Sequence, residues 1–525
     1  MRQFINNRNL QIFFVFFSVL MALIYIVTTN HIWEDFYITF RHSKNLVDGN
    51  GLVYQPGERV HGFTSVINTL LPALFYWLTG KSFLATIWLY RIVSIVALVA
   101  GGLFFLREIQ KQNPNNFIIP LFFTLLFSFQ IKMIMFATNG QEAGFMVLFL
   151  LPSIIFAFNG YKEHWKWAGI CWAGLIYTRP DGPVYIMLLV IAAIIIGRSK
   201  TKEELIAIAK AGLVCTIIYL PWFIGAWLYY GSPIPHTITA KSGMGGNFSA
   251  DIIYSLETII SNLPHIGIQI AEPTYFFFGD WPYWIKVYAF FSWIVCTIYW
   301  LIPSKDRLGR FVSLLYTLLV VYLSYLQFRG AVYPWYLPPA EIMAVFILCS
   351  ATYHISHKLT KSNTLPVYLM NIILLYISSS IYFSSLSQIK VQQEVIETNH
   401  RKEIGLWLNK NKQDNDTVFL EPLGYIGYYS NAKMYDWPGL VSPEVVAAEK
   451  HKKAGQYAKI ILTLKPSWLV LRPNVIPALK QTNWFEKHYK PTKIFDVSKE
   501  IELYKNLSGK NYLYYDSIFI IYKKI

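Results

Sequence analysis

Long apolar runs without charge are the feature that most constrains this chain. The segments Ala211–Tyr229 and Leu365–Phe383 contain no charged residue, and Phe83–Leu106 is interrupted only by Arg91. Each run is long enough to cross the roughly 30 Å hydrocarbon core of a bilayer as a helix. Lipid offers the backbone no hydrogen-bond partners, so these runs have to be helical. The sequence therefore predicts an integral membrane protein with many spans.

The apolar runs are confined to the first part of the chain. Over 525 residues the chain is 54% hydrophobic and only 14% charged, whereas a soluble domain is about 25% charged. Residues 1–385 hold the runs, and residues 386–525 have the composition of an ordinary soluble domain. This shift predicts a transmembrane domain over 1–385, with residues 30–65 as its first extracytoplasmic loop. A soluble extracytoplasmic domain follows over 386–525.

The positions of basic residues predict which side of the membrane each loop faces. With the N-terminus inside, every predicted cytoplasmic loop is short and carries Lys or Arg, as the positive-inside rule requires. The assignment holds only if Val66–Leu78 lies at the outer interface instead of crossing. The first run, Ile12–Val27, is interpreted as a retained signal anchor because no small-x-small cleavage site follows it. We expect about eleven spans, near residues 11–29, 83–106, 117–136, 142–158, 166–178, 183–197, 211–229, 284–302, 311–328, 334–353 and 365–384.

The net charge indicates which partners the chain binds, and the positions of the cysteines indicate whether it forms disulfides. A net charge of +16 fits cytoplasmic loop bias and anionic lipid headgroups better than nucleic-acid binding. The four cysteines all fall within apolar runs, and none belongs to a CxxC pair. We therefore expect buried free thiols and no disulfide framework.

A pair of adjacent carboxylates, Glu34 and Asp35, follows the first predicted span. Charges at the mouth of a span are costly. One interpretation is a solvated pair at a helix end. The other is chemistry at the membrane surface, because a carboxylate there can deprotonate a hydroxyl group or hold a divalent metal ion. The predicted outer placement and the Gly- and aromatic-rich loop that follows favour the second interpretation.

Several turns on the same predicted side carry polar residues. Glu142 follows an Asn-Gly turn, where a carboxylate at a helix start also simply favours the helix dipole. Arg179 and Asp181 form a turn between two short apolar runs. Such a turn is either structural or part of a cavity lining, since short broken helices often surround a cavity. An arginine in that position also suits a phosphate.

The long outer loop predicted over 230–283 and a later helix end supply three further cations. His236 and Lys241 follow two prolines, so they are either phosphate contacts or parts of a stiff connector. Arg329 lies at the outer end of a predicted span and is another phosphate candidate. The glycine-rich run Gly243–Gly246 lacks the strand-to-helix context of a phosphate-cradling loop.

The tail reads as a mixed α/β domain. A helical pattern covers about 387–411, and strand-like runs follow at Thr417–Glu421, Ser467–Leu471 and Ser517–Tyr522. Asp436 precedes a Pro-Gly turn, and the plain interpretation is a strand that ends there.

Many of these residues occur in the order of one family's motifs, in a resemblance that covers nearly the whole chain. After the first span the matches are Asp35, Tyr37, Phe40-Arg41, Asn45-Leu46, Gly49, Gly51-Leu52-Val53, Pro56-Gly57-Glu58, Val60, Gly62 and Thr64. Later matches are Asn139-Gly140 with Glu142, Thr178–Gly182, Gly231 with Pro233 and Pro235, and Asp436 with Gly439-Leu440 and Pro443. The chain thus resembles the GT-C superfamily of membrane glycosyltransferases, and within it the terminal cell-wall arabinofuranosyltransferases. Three positions depart from the motifs: Glu34 replaces an Asp, His61 replaces a Glu and His236 replaces an Asn.

The resemblance implies a GT-C-type helical membrane protein that acts at the outer face of a bacterial inner membrane, with its C-terminal domain in the periplasm. It implies a polyprenyl-phosphate sugar donor, arabinofuranose-like or other, and a cell-envelope glycan acceptor. Asp35 would be the catalytic base, and Glu34 would support it or bind a metal ion. The expected donor and substrate contacts are Arg41, Glu142, Arg179, Asp181, His236, Lys241, Arg329 and Asp436.

Other functions stay open at this point. The same fold could glycosylate a protein or lipid A. A lipid-linked-sugar flippase should show related halves and buried mid-span charges, whereas the polar motifs here cluster at one surface. A non-catalytic scaffold would not need the acidic loop around Asp35.

Overall fold

The computed structural model describes residues 7–114, 116–197, 201–241, 252–330, 332–359, 365–448 and 457–525. Of the features named above, the run Gly243–Gly246 lies outside the described residues. So do Arg198, Lys200 and Lys361, three basic residues of the predicted cytoplasmic loops.

The regular secondary structure described in the first part of the chain is entirely helical. Its helices are α1 (Asn7–Thr29), α2 (Glu34–Val47), α3 (Ile67–Leu78), α4 (Phe83–Gln112), α5 (Ile118–Ser128), α6 (Ile131–Thr138), α7 (Ala143–Asn159), α8 (Trp165–Thr178), α9 (Gly182–Ile195), α10 (Lys202–Tyr230), α11 (His236–Lys241), α12 (Ile252–Ala271), α13 (Tyr283–Ile298), α14 (Arg307–Arg329), α15 (Pro338–Leu359) and α16 (Leu365–Val391). Short 3-10 turns lie at Phe276–Phe278, Tyr299–Leu301 and Pro334–Tyr336.

Each predicted span coincides with a helix or a broken helix. Within the described residues, six helices are long and apolar enough to cross a membrane, and the pair α5–α6, bent by 52°, makes up to seven. Helices such as α7, α8 and α9 are shorter. The prediction of a multi-pass helical membrane protein is confirmed, and the number of eleven spans stays a prediction.

Helix α3 has the length expected of an interfacial helix. It contains 12 residues, about 18 Å at 1.5 Å per residue, which is too short for a bilayer core of roughly 30 Å. It packs on α2 and α4. The interpretation of Val66–Leu78 as a helix that does not cross is consistent with this length.

The predicted loop 230–283 is largely helical, which differs from the sequence-based expectation. It contains α11 and the 20-residue helix α12. Helix α12 packs on α13 and α14 along one side, and large apolar residues such as Ile253 and Ile260 are exposed on the other. The segment contains polar residues among its apolar ones, and for that reason the sequence predicts a loop. An amphipathic helix accommodates such polar residues on one face.

Small residues bring α4 and α7 into backbone contact. A Cβ atom at Gly101 would lie 2.6 Å from the carbonyl oxygen of Val147, and one at Gly144 would overlap Ser94. Close helix packing in membranes depends on such small residues. The contact fixes the start of α7 and the turn before it, which carries Glu142.

The tail contains a five-stranded mixed sheet. Its strands are β1 (Thr417–Leu420), β2 (Lys433–Asp436), β3 (Trp468–Leu471), β4 (Tyr489–Asp496) and β5 (Ile518–Lys524), in the order β2-β1-β3-β5-β4. β1 pairs in parallel with β2 and β3, whereas β5 pairs antiparallel with β3 and β4. Its helices are α17 (Glu403–Asn411), α18 (Leu423–Ser430), α19 (Pro443–Ala448), α20 (Tyr457–Leu464), α21 (Ile476–Lys480), α22 (Phe485–His488), α23 (Ser498–Glu502) and α24 (Asn511–Tyr515).

The three predicted strands match β1, β3 and β5, and β2 ends at Asp436 as expected. β4, whose residues are mostly exposed at the sheet edge, has no counterpart among the predicted strands. The helical pattern over 387–411 is confirmed as the end of α16, a π-helical segment Gln392–Lys402 and α17 in one continuous rod. The boundary between 385 and 386 therefore falls inside a helix, and the division into two domains stays a prediction.

The tail packs on the loop between α1 and α4. Helix α18 lies against α2 so closely that a Cβ atom at Gly424 would overlap the backbone of Glu34. Lys433 of β2 forms an ion pair with Glu58. The tail thus stands directly over the acidic segment.

The four cysteines are free thiols as predicted, and all but half-buried Cys171 are buried.

Candidate active site

Asp35 lies in the first turn of α2, beside a cavity of about 80 Å³. Such a volume holds only a few water molecules, so a sugar ring fits only if the surrounding side chains move. The cavity is lined by Asp35, Ile38, Thr39, Gly62, Phe63, Thr64, Ser65, Asn68, Gln141, Glu142, Arg179, Pro180, Thr237, Lys241, Trp335, Tyr336 and Leu440. Four of the predicted site residues, from four separate segments of the chain, therefore meet here: Asp35, Glu142, Arg179 and Lys241.

The Asp35 carboxylate lines the cavity without a strong partner among the described residues. No described residue donates a hydrogen bond to it, and its side chain is half-buried. Burial raises the pKa of the Asp35 carboxyl above its usual value, and the positive charges of Lys241 and Arg401 oppose that rise. A carboxylate with a raised pKa and no hydrogen-bond donor is a better proton acceptor than an ordinary aspartate.

Glu34 points away from the cavity. Its Oε1 accepts a hydrogen bond of 2.6 Å from the backbone N–H of Gly424. Burial raises the pKa of the Glu34 carboxyl to about 8, against the lowering effect of Arg401. The two adjacent carboxylates thus diverge: Asp35 faces the cavity, and Glu34 joins α2 to α18.

Arg179 is already paired within the protein. Its Nε donates to Asp181 at 2.8 Å and one of its terminal nitrogens donates to Glu142 at 3.0 Å. The guanidinium also lies 4.1 Å from the ring centre of Tyr336. Two carboxylates neutralise this arginine, so its main effect on the cavity is to fix the turn before α7 against the turn before α9.

Lys241 is the cation that the cavity leaves available. Among the described residues no carboxylate lies within ion-pair distance of its ammonium group, which sits 4.5 Å from the ring centre of Tyr333. Burial lowers the pKa of Lys241, and the charge of Asp35 opposes this. An ammonium held by aromatic rings can still receive an anion on its open side.

The turn before α7 is locked onto the loop that carries Asp35. The Trp33 N–H donates to the carbonyl of Asn139 at 2.8 Å. Gly140 has φ +100°, and a Cβ atom there would overlap the ring of Phe36. Arg91, the single charge in its apolar run, donates to Asn30 and to the carbonyls of His31 and Thr138. These contacts explain both the Asn-Gly pair and the buried arginine.

The other predicted residues do not line the cavity. Arg41 donates to the carbonyls of Gly427 and Ala432 and lies over Tyr54, so it ties α2 to the tail. Asp436 is buried and accepts hydrogen bonds from the backbone N–H groups of Leu440 and Val441, which places Leu440 at the cavity wall.

His236 and Arg329 also lie outside the cavity lining. The backbone N–H of His236 donates to the carbonyl of His61 at 2.8 Å. This bond joins α11 to the first loop and places the next residue, Thr237, in the cavity. Asp181 contributes only through Arg179.

Neutral polar groups of the cavity were not identified from the sequence. Thr237 is 6% exposed, and its hydroxyl has no hydrogen-bond partner among the described residues. Gln141 lies between the glycine and the glutamate of the predicted turn, and Thr64 ends the first-loop motif. In the sequence, the only indication of their role is that they lie next to motif residues. The tertiary contacts show that they face the same cavity.

The described residues offer no obvious set of ligands for a metal ion. Within them, no three His, Cys, Asp or Glu side chains stand together in a geometry that suits a metal ion. Glu34 and Asp35 also diverge, so they do not form a shared pair of ligands.

Comparisons with known proteins agree with this architecture. Two crystal structures of ArnT from Cupriavidus metallidurans, one bound to undecaprenyl phosphate and one in the apo state, superpose with a TM-score of 0.53 each. They are 12% and 11% identical to this chain, and 97% of both chains is covered. At this identity the likeness shows the fold alone: an ArnT-like helical membrane fold with a small C-terminal sheet domain.

Two sequence matches cover parts of the chain. A terminal β-(1→2)-arabinofuranosyltransferase of Mycobacterium tuberculosis is 26% identical over 246 residues, which covers 42% of this chain and 36% of the relative. The match thus spans only about a third of that protein's length. The profile of a domain of unknown function (DUF8728) matches residues 387–515.

Proposed function

We propose that this protein is an inverting glycosyltransferase that moves a sugar from a polyprenyl-phosphate donor to a cell-envelope glycan. One observation carries the proposal: the same cavity holds a carboxylate without a hydrogen-bond donor, Asp35, and an ammonium group without an ion pair, Lys241. Both statements refer to the described residues.

The reaction needs these two kinds of group. Asp35 removes the proton from the acceptor hydroxyl, whose oxygen attacks the anomeric carbon as the bond from that carbon to the donor phosphate oxygen breaks. The leaving polyprenyl phosphate keeps the bonding electrons, and Lys241 stabilises its charge. A phosphate leaves without strong acid assistance, so one carboxylate suffices. Direct displacement inverts the anomeric configuration.

The neutral groups of the cavity suit sugar hydroxyls. Thr237, Gln141 and Thr64 offer hydroxyl and amide groups that can both donate and accept. The similarity to a terminal arabinofuranosyltransferase favours an arabinofuranose-like sugar. The comparisons do not decide the acceptor, so a protein or lipid A stays open as the alternative.

We place this chemistry at the outer face of a bacterial inner membrane. The cavity lies where the tail meets the first loop, and the tail would be periplasmic under the positive-inside assignment. The membrane-facing helices around it would present the polyprenyl chain from the side, and the tail would face the glycan.

A flippase for lipid-linked sugars is the second candidate. Its support is a buried charged cluster, in which Lys132 of α6 lies near Glu341 and Glu272, because buried charges in membrane proteins often mark transport pathways. Lys132 nevertheless donates to the backbone carbonyls of Gln269 and Ile270 at 2.6 and 2.7 Å. These bonds give it a structural role at the end of α12.

The test is transfer by membranes that contain the full chain, supplied with labelled polyprenyl-phosphate sugars and glycan acceptors. We expect Asp35→Asn to lose roughly 10²- to 10⁴-fold in kcat, the usual contribution of a general base. Glu34→Gln is the matched control, because it alters the adjacent carboxylate and keeps an oxygen for the Gly424 N–H. Full transfer by Asp35→Asn would remove Asp35 as the base. Flipping without any transfer would favour the second candidate.

A further inference from the structure

The segment that leads into Asp35 is held by hydrogen bonds from several elements. The backbone N–H of Ile32 donates to Oε1 of Gln393 at 3.0 Å, and the carbonyl of Ile32 accepts from the hydroxyl of Tyr425 at 3.0 Å. The next residue, Trp33, donates its N–H to Asn139. Ile32 lies three residues before Asp35, and its backbone N–H and its carbonyl are therefore both bound by side chains of the tail.

Gln393 and Tyr425 also bind each other. Nε2 of Gln393 lies 3.2 Å from the Tyr425 hydroxyl and 3.1 Å from the hydroxyl of Thr398. Gln393 is 9% exposed and Tyr425 is 2% exposed. The two side chains and Ile32 thus form a closed, buried polar triangle in which water cannot easily replace a lost bond.

The π-helical segment explains how Gln393 reaches this place. Its side chain pairs with Thr398, and Gln392 pairs with Glu397 at 3.3 Å, so both pairs join residues five apart. In an α-helix, side chains three or four apart face each other, whereas a π-helix aligns residues about five apart. π-helical turns are rare and frequent at functional sites. Here the wider turn aims Gln393 at the segment before Asp35.

We propose that Gln393 and Tyr425 are positioning residues, which belong to the tail and fix the start of α2 so that Asp35 faces the cavity. The proposal rests on the proposed function, in which Asp35 is the base. Neither side chain lines the cavity, so neither touches the substrate. The tail is then a working part of the catalytic centre in addition to any role in acceptor binding.

Tyr425→Phe is the sharpest test, because it removes one hydroxyl and keeps the ring packed on Tyr37 at 4.2 Å between centres. Tyr429→Phe is the matched control. Its hydroxyl belongs to the same aromatic cluster, 3.4 Å from that of Tyr37, and no described contact joins it to residues 30–35. We expect Tyr425→Phe to lower kcat roughly tenfold or more, since small displacements of a reacting group are costly. KM for the donor and the unfolding temperature should stay close to those of Tyr429→Phe.

Gln393→Met is the second variant, with a side chain of similar length that cannot hold Ile32. It should lower kcat like Tyr425→Phe, and the double variant should lose less than the product of the two effects, because both act on one residue. In an Asp35→Glu background, where the carboxylate is already displaced, the effect of Tyr425→Phe should shrink.

The outcomes separate this inference from the proposed function. If the unmodified protein transfers sugar and Asp35→Asn does not, but Tyr425→Phe and Gln393→Met match Tyr429→Phe, the positioning role is wrong. An equal penalty from Tyr425→Phe in the unmodified protein and in the Asp35→Glu background would also overturn it, because that pattern indicates a general loss of stability. If Asp35→Asn transfers normally, the proposed function fails first.

Discussion

At the scale of single residues, the proposed function depends on Asp35 and Lys241. They have opposite charges in one cavity, and each changes the ionisation of the other. Arg179, which the sequence presents as an equally good phosphate contact, is neutralised by Glu142 and Asp181. The difference between the two cations is therefore one of partners and not of residue type.

This pair predicts a pH dependence. Transfer needs ionised Asp35, so kcat/KM should rise with pH through the Asp35 pKa, which burial places above the usual aspartate value of about 4. Lys241 lowers that pKa, so Lys241→Met should move the acid limb to higher pH. Lys241→Arg keeps the charge and should leave the limb in place. The measurement is the pH–rate profile of the three proteins.

The assignment of Asp35 as the base can be tested through the charged groups around it. They are Lys241 on α11, Arg401 on the π-helical segment, Glu34 beside it on α2, and the paired Arg179 and Glu142 across the cavity. If Lys241→Met lowers the transfer rate at every pH without shifting the acid limb, this result contradicts the electrostatic link between Lys241 and Asp35.

At the scale of elements, the turn between α6 and α7 sets the position of α2. Gly140 has a positive φ and lies against Phe36, which is one residue beyond Asp35. The hydroxyl of Tyr90 donates to the carbonyl of Gln141 at 2.8 Å, and Asn68 donates to the carbonyl of Gly140 at 2.7 Å. A turn bound from so many sides cannot relax to accept a larger side chain.

Gly140→Ala is therefore expected to lower transfer at least tenfold, because the new methyl group displaces Phe36 and the helix that carries Asp35. Gly57→Ala is the control, since Gly57 has φ +86° with no atom within 4 Å of a Cβ. It should cost only the backbone strain, about 1–2 kcal/mol, and keep its activity. The assays are thermal unfolding in detergent and sugar transfer. Equal behaviour of the two variants would contradict the role of the Phe36 contact.

At the scale of the whole molecule, a buried charge network anchors the tail next to the site. Asp516 accepts hydrogen bonds from both Arg401 and Arg472, Arg401 also binds Glu397 through two oxygens at 2.9 Å, and Arg472 pairs with Glu421. Arg401 is the member whose charge reaches Glu34 and Asp35. The tail and the membrane part thus share one electrostatic environment.

Asp516→Asn should destabilise the protein by about 3–5 kcal/mol, because it leaves two buried arginines with one partner fewer. The two arginines hold the pKa of Asp516 below its usual value although burial raises it. The stability that Asp516 contributes is therefore present above the unfolded pKa of about 4 and is lost as the pH falls below it.

The measurement is the unfolding temperature of the full chain from pH 7 down to about pH 2. Asp414→Asn, at an exposed position with no ion pair among the described residues, is the control and should unfold like the unmodified protein. An Asp516→Asn protein as stable as this control at pH 7 would show that the network contributes nothing to the anchoring of the tail.

The sequence by itself determined the class of protein, because uncharged runs about as long as a bilayer core is thick satisfy their backbone hydrogen bonds there as helices. It also predicted the tail's α/β character and indicated the segment at Asp35 as a candidate site, since apolar periodicity and motif order are local properties. Only the tertiary structure decided which polar residues meet. Glu34 and Asp35 are neighbours in sequence, yet the first turn of α2 points them to different partners, Gly424 and the cavity. Gln393 lies 361 residues from Ile32, and contacts across such distances follow from packing, which no local pattern records.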